Sequence, residues 1–305
     1  MSTTTMLQLV QQVTNELGIS TPSVVAGNTN QDVTQILALM NANGYEFLRK
    51  HPWQALTKQH RFYTEYLTTT GTWTTAAQTI TAIPSTTGLD TTYQVVGTGF
   101  NQDTFISSVD SGTQVTVNQD IEEAATAGTL NFQKMRYDLP SDYEALIPRT
   151  MWDKSKHWEM LGPEDAQQWE WLLSGYISTG PRVRWRLFSG YFQIWPGFSS
   201  AEYLGFEYRS KGWAESSAGA VKNSFTVDTD TCIYPDRLIV NATKLKYFEA
   251  KGFDTTAMYR NYEEEMEAAK ALDMSSANLS FAPRPGTVLI GYDNIPDSGY
   301  GDSST

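Results

Sequence analysis

Between Arg61 and Lys134 the chain contains no lysine and no arginine, and the same stretch is rich in threonine and punctuated by glycine. Its acidic residues are Glu65, Asp90, Asp103, Asp110, Asp120, Glu122 and Glu123. Short β-rich runs, Gln94-Val95-Val96, Thr104-Phe105-Ile106 and Gln114-Val115-Thr116-Val117, alternate with turns at Gly97-Thr98-Gly99 and Asp110-Ser111-Gly112. Residues 66–133 therefore read as a small antiparallel module, sandwich- or barrel-like, of a size that is marginal alone. Helical pattern precedes it and mixed pattern follows, so the module is an insertion.

Before the insertion, Met6, Leu9/Val10, Val13 and Leu17 recur at helical spacing, with Gly18 placed to end the helix in a left-handed cap. Val33, Ile36/Leu37, Met40 and Phe47/Leu48 mark a second helix, stopped by His51-Pro52. After it, Pro163 is expected to open a helix with Glu164 and Asp165 in its first turn, Trp169, Leu172 and Leu173 on its stripe, and Gly175 as its end. Arg182–Ser189 and Tyr191–Trp195 read as a hairpin about Ser189-Gly190, with Leu204, Phe206 and Tyr208 in a third strand. Pro235 opens a helix with Leu238/Ile239, Ala242, Leu245 and Phe248 on one stripe and Gly252 as its cap. Asp254 caps the last, striped by Met258, Tyr262, Met266 and Ala269. From Ser275 the chain is rich in Ser, Asn, Pro and Gly, with Phe281 and Val288-Leu289-Ile290 as apolar islands, the pattern of a docking arm.

The expected fold class is α+β: a helical core with a short antiparallel β-sheet, an inserted small β-sandwich-like module and an extended C-terminal arm. Residues 1–65 supply the N-terminal helices of the core, 66–133 the module, 134–274 the rest of the core and 275–305 the arm.

Charge narrows the function. Lys+Arg number 22 against Asp+Glu 34, a net charge of -12, which argues against free binding to nucleic acid or to an anionic membrane. No apolar run is long enough to span a bilayer. The single cysteine, Cys232, forms no intrachain disulfide and no thiolate metal site, so the chain does not depend on an oxidising compartment. Nine Trp, 16 Tyr and 13 Phe are many for a chain that is only 18% charged, and such residues anchor interfaces as well as cores.

No catalytic, cofactor-binding or metal-ligating residue is assigned. His51, His60 and His157 lack a metal-ligand spacing, Cys232 lacks a nucleophile signature, and neither a Gly-x-Ser-x-Gly elbow nor a phosphate loop is present. Glu159, Glu164 and Asp165 could in principle be paired acids of a glycosidase, but a solvated helix start explains them better. The run Glu263-Glu264-Glu265 with Glu267 is a solvated helix face or, in an assembly, the wall of a passage or the counterpart of a basic partner. Arg182, Arg184 and Arg186 alternate with Val183, Trp185 and Leu187, giving one basic and one apolar face. That row is a solvent-facing strand, an intersubunit salt-bridge row or a phosphate contact, and the net charge favours the second over the third.

Leu139-Pro140-Ser141-Asp142-Tyr143-Glu144, then Trp152-Asp153, the Arg-rich hairpin, Ile194-Trp195-Pro196 and Phe206-Glu207-Tyr208-Arg209-Ser210 follow one another in an order that resembles the head-to-tail adaptor (connector) proteins of short-tailed bacteriophages. The N-terminal helices with Phe47 and Pro52-Trp53-Gln54, and the paired C-terminal helices before the tail, fit the same pattern. The resemblance covers approximately residues 1–60 and 134–275. It implies a structural virion protein of the neck and tail, assembled in the host cytoplasm without a cofactor. Such a chain would form a dodecameric ring beneath the portal protein, carry a tail tube or nozzle protein, and meet DNA only in transit. It implies no catalytic site and no membrane partner. Interface candidates are then Arg182, Arg184 and Arg186, with Phe281, Val288, Leu289 and Ile290 on the arm. A ring multiplies the charge of -12, and negative walls let DNA slide without sticking. The competing readings are a cell-wall glycosidase, or a carbohydrate-binding virion protein using Trp73, Tyr93 and Phe100.

Overall fold

The computed structural model describes residues 4–175 and 182–273. Among them the chain is α+β, with five helices and several small antiparallel sheets: α1 Met6–Leu17, α2 Gln31–Lys50, α3 Ala166–Leu173, α4 Asp236–Lys251 and α5 Thr256–Asp273. The described residues fall into two compact units. A helical unit comprises 4–58, 141–146 and 208–273, and a β-rich unit comprises 59–140, 147–175 and 182–207. The segment 66–133 lies wholly within the β-rich unit. Phe281, Val288, Leu289, Ile290 and the rest of the arm lie outside the described residues.

In the helical unit, α1 starts with a capping box: the Thr5 hydroxyl accepts from the Gln8 N–H, while the Gln8 side chain accepts from the Thr5 N–H. It ends at Gly18, whose φ of 69° suits glycine. Met6, Leu9, Val10 and Val13 are fully buried, as the spacing predicts. α2 is capped by Asn30 and ends where His51 turns extended before Pro52. Gly44 lies on its buried side. A Cβ there would sit 2.2 Å from the Trp213 indole, so the helix backbone packs directly on that ring. Trp213, Phe225, Tyr234, Phe47 and Trp53 then form one aromatic cluster, edge-to-face except where Trp213 stacks on Tyr234.

α4 corrects the single stripe expected for it. Every residue from Leu238 to Leu245 is buried, including Val240, Asn241, Thr243 and Lys244. The reason is that α4 packs against α1, α2 and α5 together, so it has core on several sides. Its polar residues are matched: Thr243 accepts from the Asn43 amide at 3.2 Å, and Lys244 meets Glu16 at 2.5 Å. α5 buries only Tyr262, Met266 and Ala269 and leaves its other faces to solvent.

In the β-rich unit, Tyr66–Trp73, Ala125–Lys134 and Tyr93–Gly97 make one three-stranded sheet, with Leu67 opposite Phe132 and Val95 opposite Phe132 on the other side. Thr79–Ile80, Gln114–Val117 and Ile106–Ser111 make a second. One apolar cluster serves both sheets and is drawn only from residues 73–132, among them Trp73, Ile80, Val95, Val115, Leu130 and Phe132. Two local expectations shift. The strand expected at 104–106 begins at Ile106, and the turn expected at 110–112 falls at Gly112-Thr113. Thr104 instead donates its N–H to Asn101, closing a turn before the strand.

Helix α3 also starts later than expected. Asp165 is the N-cap, its side chain accepting from the Gln168 N–H, and Pro163 and Glu164 precede the helix. The Glu164 N–H is bonded to the Trp185 carbonyl at 3.0 Å, which fixes that residue on the hairpin and not in a first turn.

Candidate assembly surface

The hairpin Arg184–Phe188/Tyr191–Trp195 turns through Ser189 and Gly190, both with positive φ, the two-residue turn that matches strand twist. Its second strand pairs on its free side with Arg136–Asp138. The register sets Arg186 opposite Gln193 and Gln193 opposite Arg136, so these three form one row across one face of the sheet. Phe188, Tyr191 and Asp138 form the next row on that face.

Gln193 is buried between the arginines, and its Oε1 accepts from Arg186 Nε at 3.0 Å. The Arg186 guanidinium lies 4.5 Å from the ring centres of both Trp169 and Phe188. That of Arg136 lies 4.9 Å from Phe105 and 5.8 Å from Phe188. Phe188 thus has a guanidinium of each arginine near its ring while remaining 45% exposed. Helix α3 supplies Trp169, which packs with Phe105, Met135, Leu172 and Trp195 as one cluster under this end of the sheet. The opposite face is closed by Phe192, Phe62, Phe206 and Tyr137.

Burial lowers the pKa of both arginines. Glu170 opposes this for Arg186 while Arg136 adds to it, and Tyr191 opposes it for Arg136. Both remain cations at any ordinary pH. Among the described residues neither has an ion-pair partner. Buried Arg136 Nε, Trp169 Nε1 and Trp195 Nε1 also lack hydrogen-bond partners. This end of the sheet has donors in excess of acceptors.

The basic row expected from sequence is thereby corrected. The strand begins at Arg184, so Arg182 lies before it, partly exposed. Arg184 is committed within the chain: its Nη1 meets Glu164 Oε1 at 2.5 Å, and the Glu164 side chain is only 7% exposed. Glu164 is therefore not the solvated helix-start acid expected for it. Arg186 is the member left without an ion pair among the described residues, and its neighbour across the sheet is Arg136. Sequence spacing within one strand could not reveal that pairing, because it depends on the register of a strand some fifty residues earlier.

Other candidates resolve into structure. Asp165 caps α3, and Trp73 and Tyr93 are buried, with Phe100 packed on Trp73 at 5.0 Å. They offer no open stacking platform of the kind a sugar needs. Cys232 is buried, and burial pushes its thiol up to about 12. His51 bonds Asp273 at 3.1 Å beside Trp53, and burial lowers the pKa of His60 between Phe62 and Phe206. No described helix is long and apolar enough to cross a membrane.

The helical unit presents a surface of opposite character. Along α5, Tyr262 and Met266 line a groove of about 580 Å³ with Tyr259, the acids Glu263, Glu264 and Glu267, and the lysines Lys50 and Lys270. No protein-family model matches the chain, and no curated protein matches it either.

Proposed function

We propose that the chain is a ring-forming head-to-tail adaptor of a short-tailed bacteriophage, a structural virion protein that binds beneath the portal, extends the DNA exit channel and carries the tail. The observation that carries this reading is the end of the hairpin sheet, where two arginines flank an exposed phenylalanine and neither forms an ion pair among the described residues. A cationic aromatic patch of this kind is the composition of an interface anchor, since Arg and aromatic residues dominate binding hot spots. A net charge of -12 on the whole chain keeps such a patch from holding DNA in the channel.

In this reading residues 66–133, with their own shared core, are an inserted sandwich-like module on the outside of the ring, and residues 275–305 are an extended arm that docks on a neighbour or the portal. The partners are further copies of the chain, the portal and a tail tube or nozzle protein, with DNA only in transit. The particle's neck is its location, and no cofactor takes part. Burial of Trp73 and Tyr93 favours this over carbohydrate binding, and commitment of Glu164 to Arg184 and of Asp165 to a helix cap favours it over a glycosidase. The test is to mix the purified chain with isolated portal rings of the same particle and follow sedimentation. Co-sedimentation in a fixed ratio supports the adaptor. Failure to bind, together with release of soluble fragments from peptidoglycan, would replace it with the enzyme.

A further inference from the structure

We propose that the Arg136–Gln193–Arg186 row with Phe188 docks into the α5 groove of a second copy of this chain, its arginines facing Glu263 and Glu267. This rests on the adaptor reading and names the contact that would propagate its ring.

The donor side is a surface whose arginines, Arg136 and Arg186, lack ion pairs among the described residues. They share one sheet face and hold Phe188 near both guanidiniums. Glu170 attracts Arg186 without pairing to it, and Asp138 stands one row away. Arg136 Nε is buried without a hydrogen-bond partner among the described residues. Arg186 and Phe188 remain open to solvent in part, so an acidic partner that covers them meets a charge that the described residues leave unpaired.

The acceptor side complements it in both chemistry and shape. Tyr259, Glu263 and Glu267 recur at i, i+4 and i+8, so they form one strip along α5. That strip edges a groove lined by Tyr262 and Met266, apolar ground fit for an aromatic ring and for the methionine–aromatic contact. The groove's two lysines are already engaged: Lys50 is held by the Tyr262 hydroxyl at 2.9 Å and Lys270 by Glu267 at 2.8 Å. Glu263, bonded by the Tyr259 hydroxyl, and Glu267, paired with Lys270, both stay exposed to an incoming guanidinium, while Glu264 lies 3.7 Å from Arg260. Patch and groove belong to different units and are unlike each other. A contact between them is heterologous, which generates a ring when the rotation closes.

The experiment is sedimentation velocity on the full chain, in the wild type, in Arg186→Glu and in Glu263→Lys/Glu267→Lys. The last carries both changes on an exposed helix face, so its fold is not at stake, and circular dichroism checks all three. Wild type is expected to self-associate, each variant about tenfold or more weakly, and an equimolar mixture of the two variants is expected to recover association. Variants that associate like a self-associating wild type would overturn this contact and leave the ring reading standing. So would loss in both variants without recovery in the mixture. A wild type that stays monomeric at every concentration would overturn the contact and the ring together. Duplex DNA binding that disappears in Arg186→Glu, with self-association unchanged, would assign the patch to phosphates instead.

Discussion

In the helical unit, partly buried acids sit beside cations and donors; in the β-rich unit, cations sit beside aromatic rings and each other. Asp142 shows the first arrangement. Burial alone would raise its pKa, yet bonds from Lys58, Ser210 and Tyr208 outweigh it and hold the carboxyl at about 2. Glu16, between Lys244 and Arg237, and Asp230, bonded by Lys222 and the N–H groups of Thr226 and Val227, are lowered in the same way against burial. The β-rich unit reverses the sign. Asp153 is raised by burial, which the N–H groups of Lys156 and Ser155 only partly offset, and burial lowers Arg136 and Arg186. In the helical unit these acids find their partners within the unit itself. The β-rich unit, with desolvated cations and an exposed ring, is stable enough to fold, yet gains by being covered.

The largest expected effect breaks the helical unit at its centre. Trp213 is fully buried against Gly44, Phe225 and Tyr234, and Trp213→Ala should cost about 3–5 kcal/mol. Amide exchange in α2 and α4 is the measurement, and protection as in the wild type would show the cluster to be dispensable. Next comes the matched cation of the β-rich unit. Arg184→Ala leaves the Glu164 carboxylate buried without its partner and should cost about 2–3 kcal/mol by urea unfolding, reduced from the fully buried case because Arg184 is 30% exposed. Arg186→Ala, with no acid to strand, should cost clearly less. Equal costs would erase the distinction between the two arginines.

Acid then separates the units. The Asp142 pKa is lowered in the folded state, so its contribution is fully present above the unfolded value near 4 and is lost as pH falls towards about 2. Allowing for its partial exposure, that loss amounts to about 1–2 kcal/mol, and Glu16 and Asp230 act in the same direction. Asp153 acts oppositely, because protonation relieves the cost of its burial. Amide exchange between pH 5 and 2.5, compared unit by unit, should show protection falling first in the helical unit. Asp142→Asn should flatten that fall. The smallest effect is expected from the insertion. Replacing residues 66–133 with a short Gly/Ser linker should leave the remaining chain folded and able to assemble, since the main apolar cluster of that segment is its own and Phe105 is its one buried apolar residue that joins the Trp169 cluster instead. Insoluble expression of the shortened chain would contradict this.

Much of the helical architecture was legible because it is written locally. Gly18, Pro52, Pro235 and Gly252 mark the helix ends by backbone chemistry, and the apolar stripes name the buried faces of α1, α2 and α5. The stripe of α4 was too narrow because periodicity reports one partner and α4 has three. The start of α3 was misplaced because Pro163 suits a first turn as readily as the residues before one, and the bond from Glu164 to Trp185 decided it. The candidate surface was the least legible part. Alternation put Arg184 and Arg186 on one face, but their fates diverge through Glu164 and Arg136, both distant in sequence and brought near by hydrogen bonding and sheet register.

The most direct test of the ring-forming adaptor is electron microscopy of the purified full-length chain, alone and with portal rings. Closed rings with an open centre, stacked coaxially on the portal, are the expected result. Dispersed monomers under both conditions would contradict it.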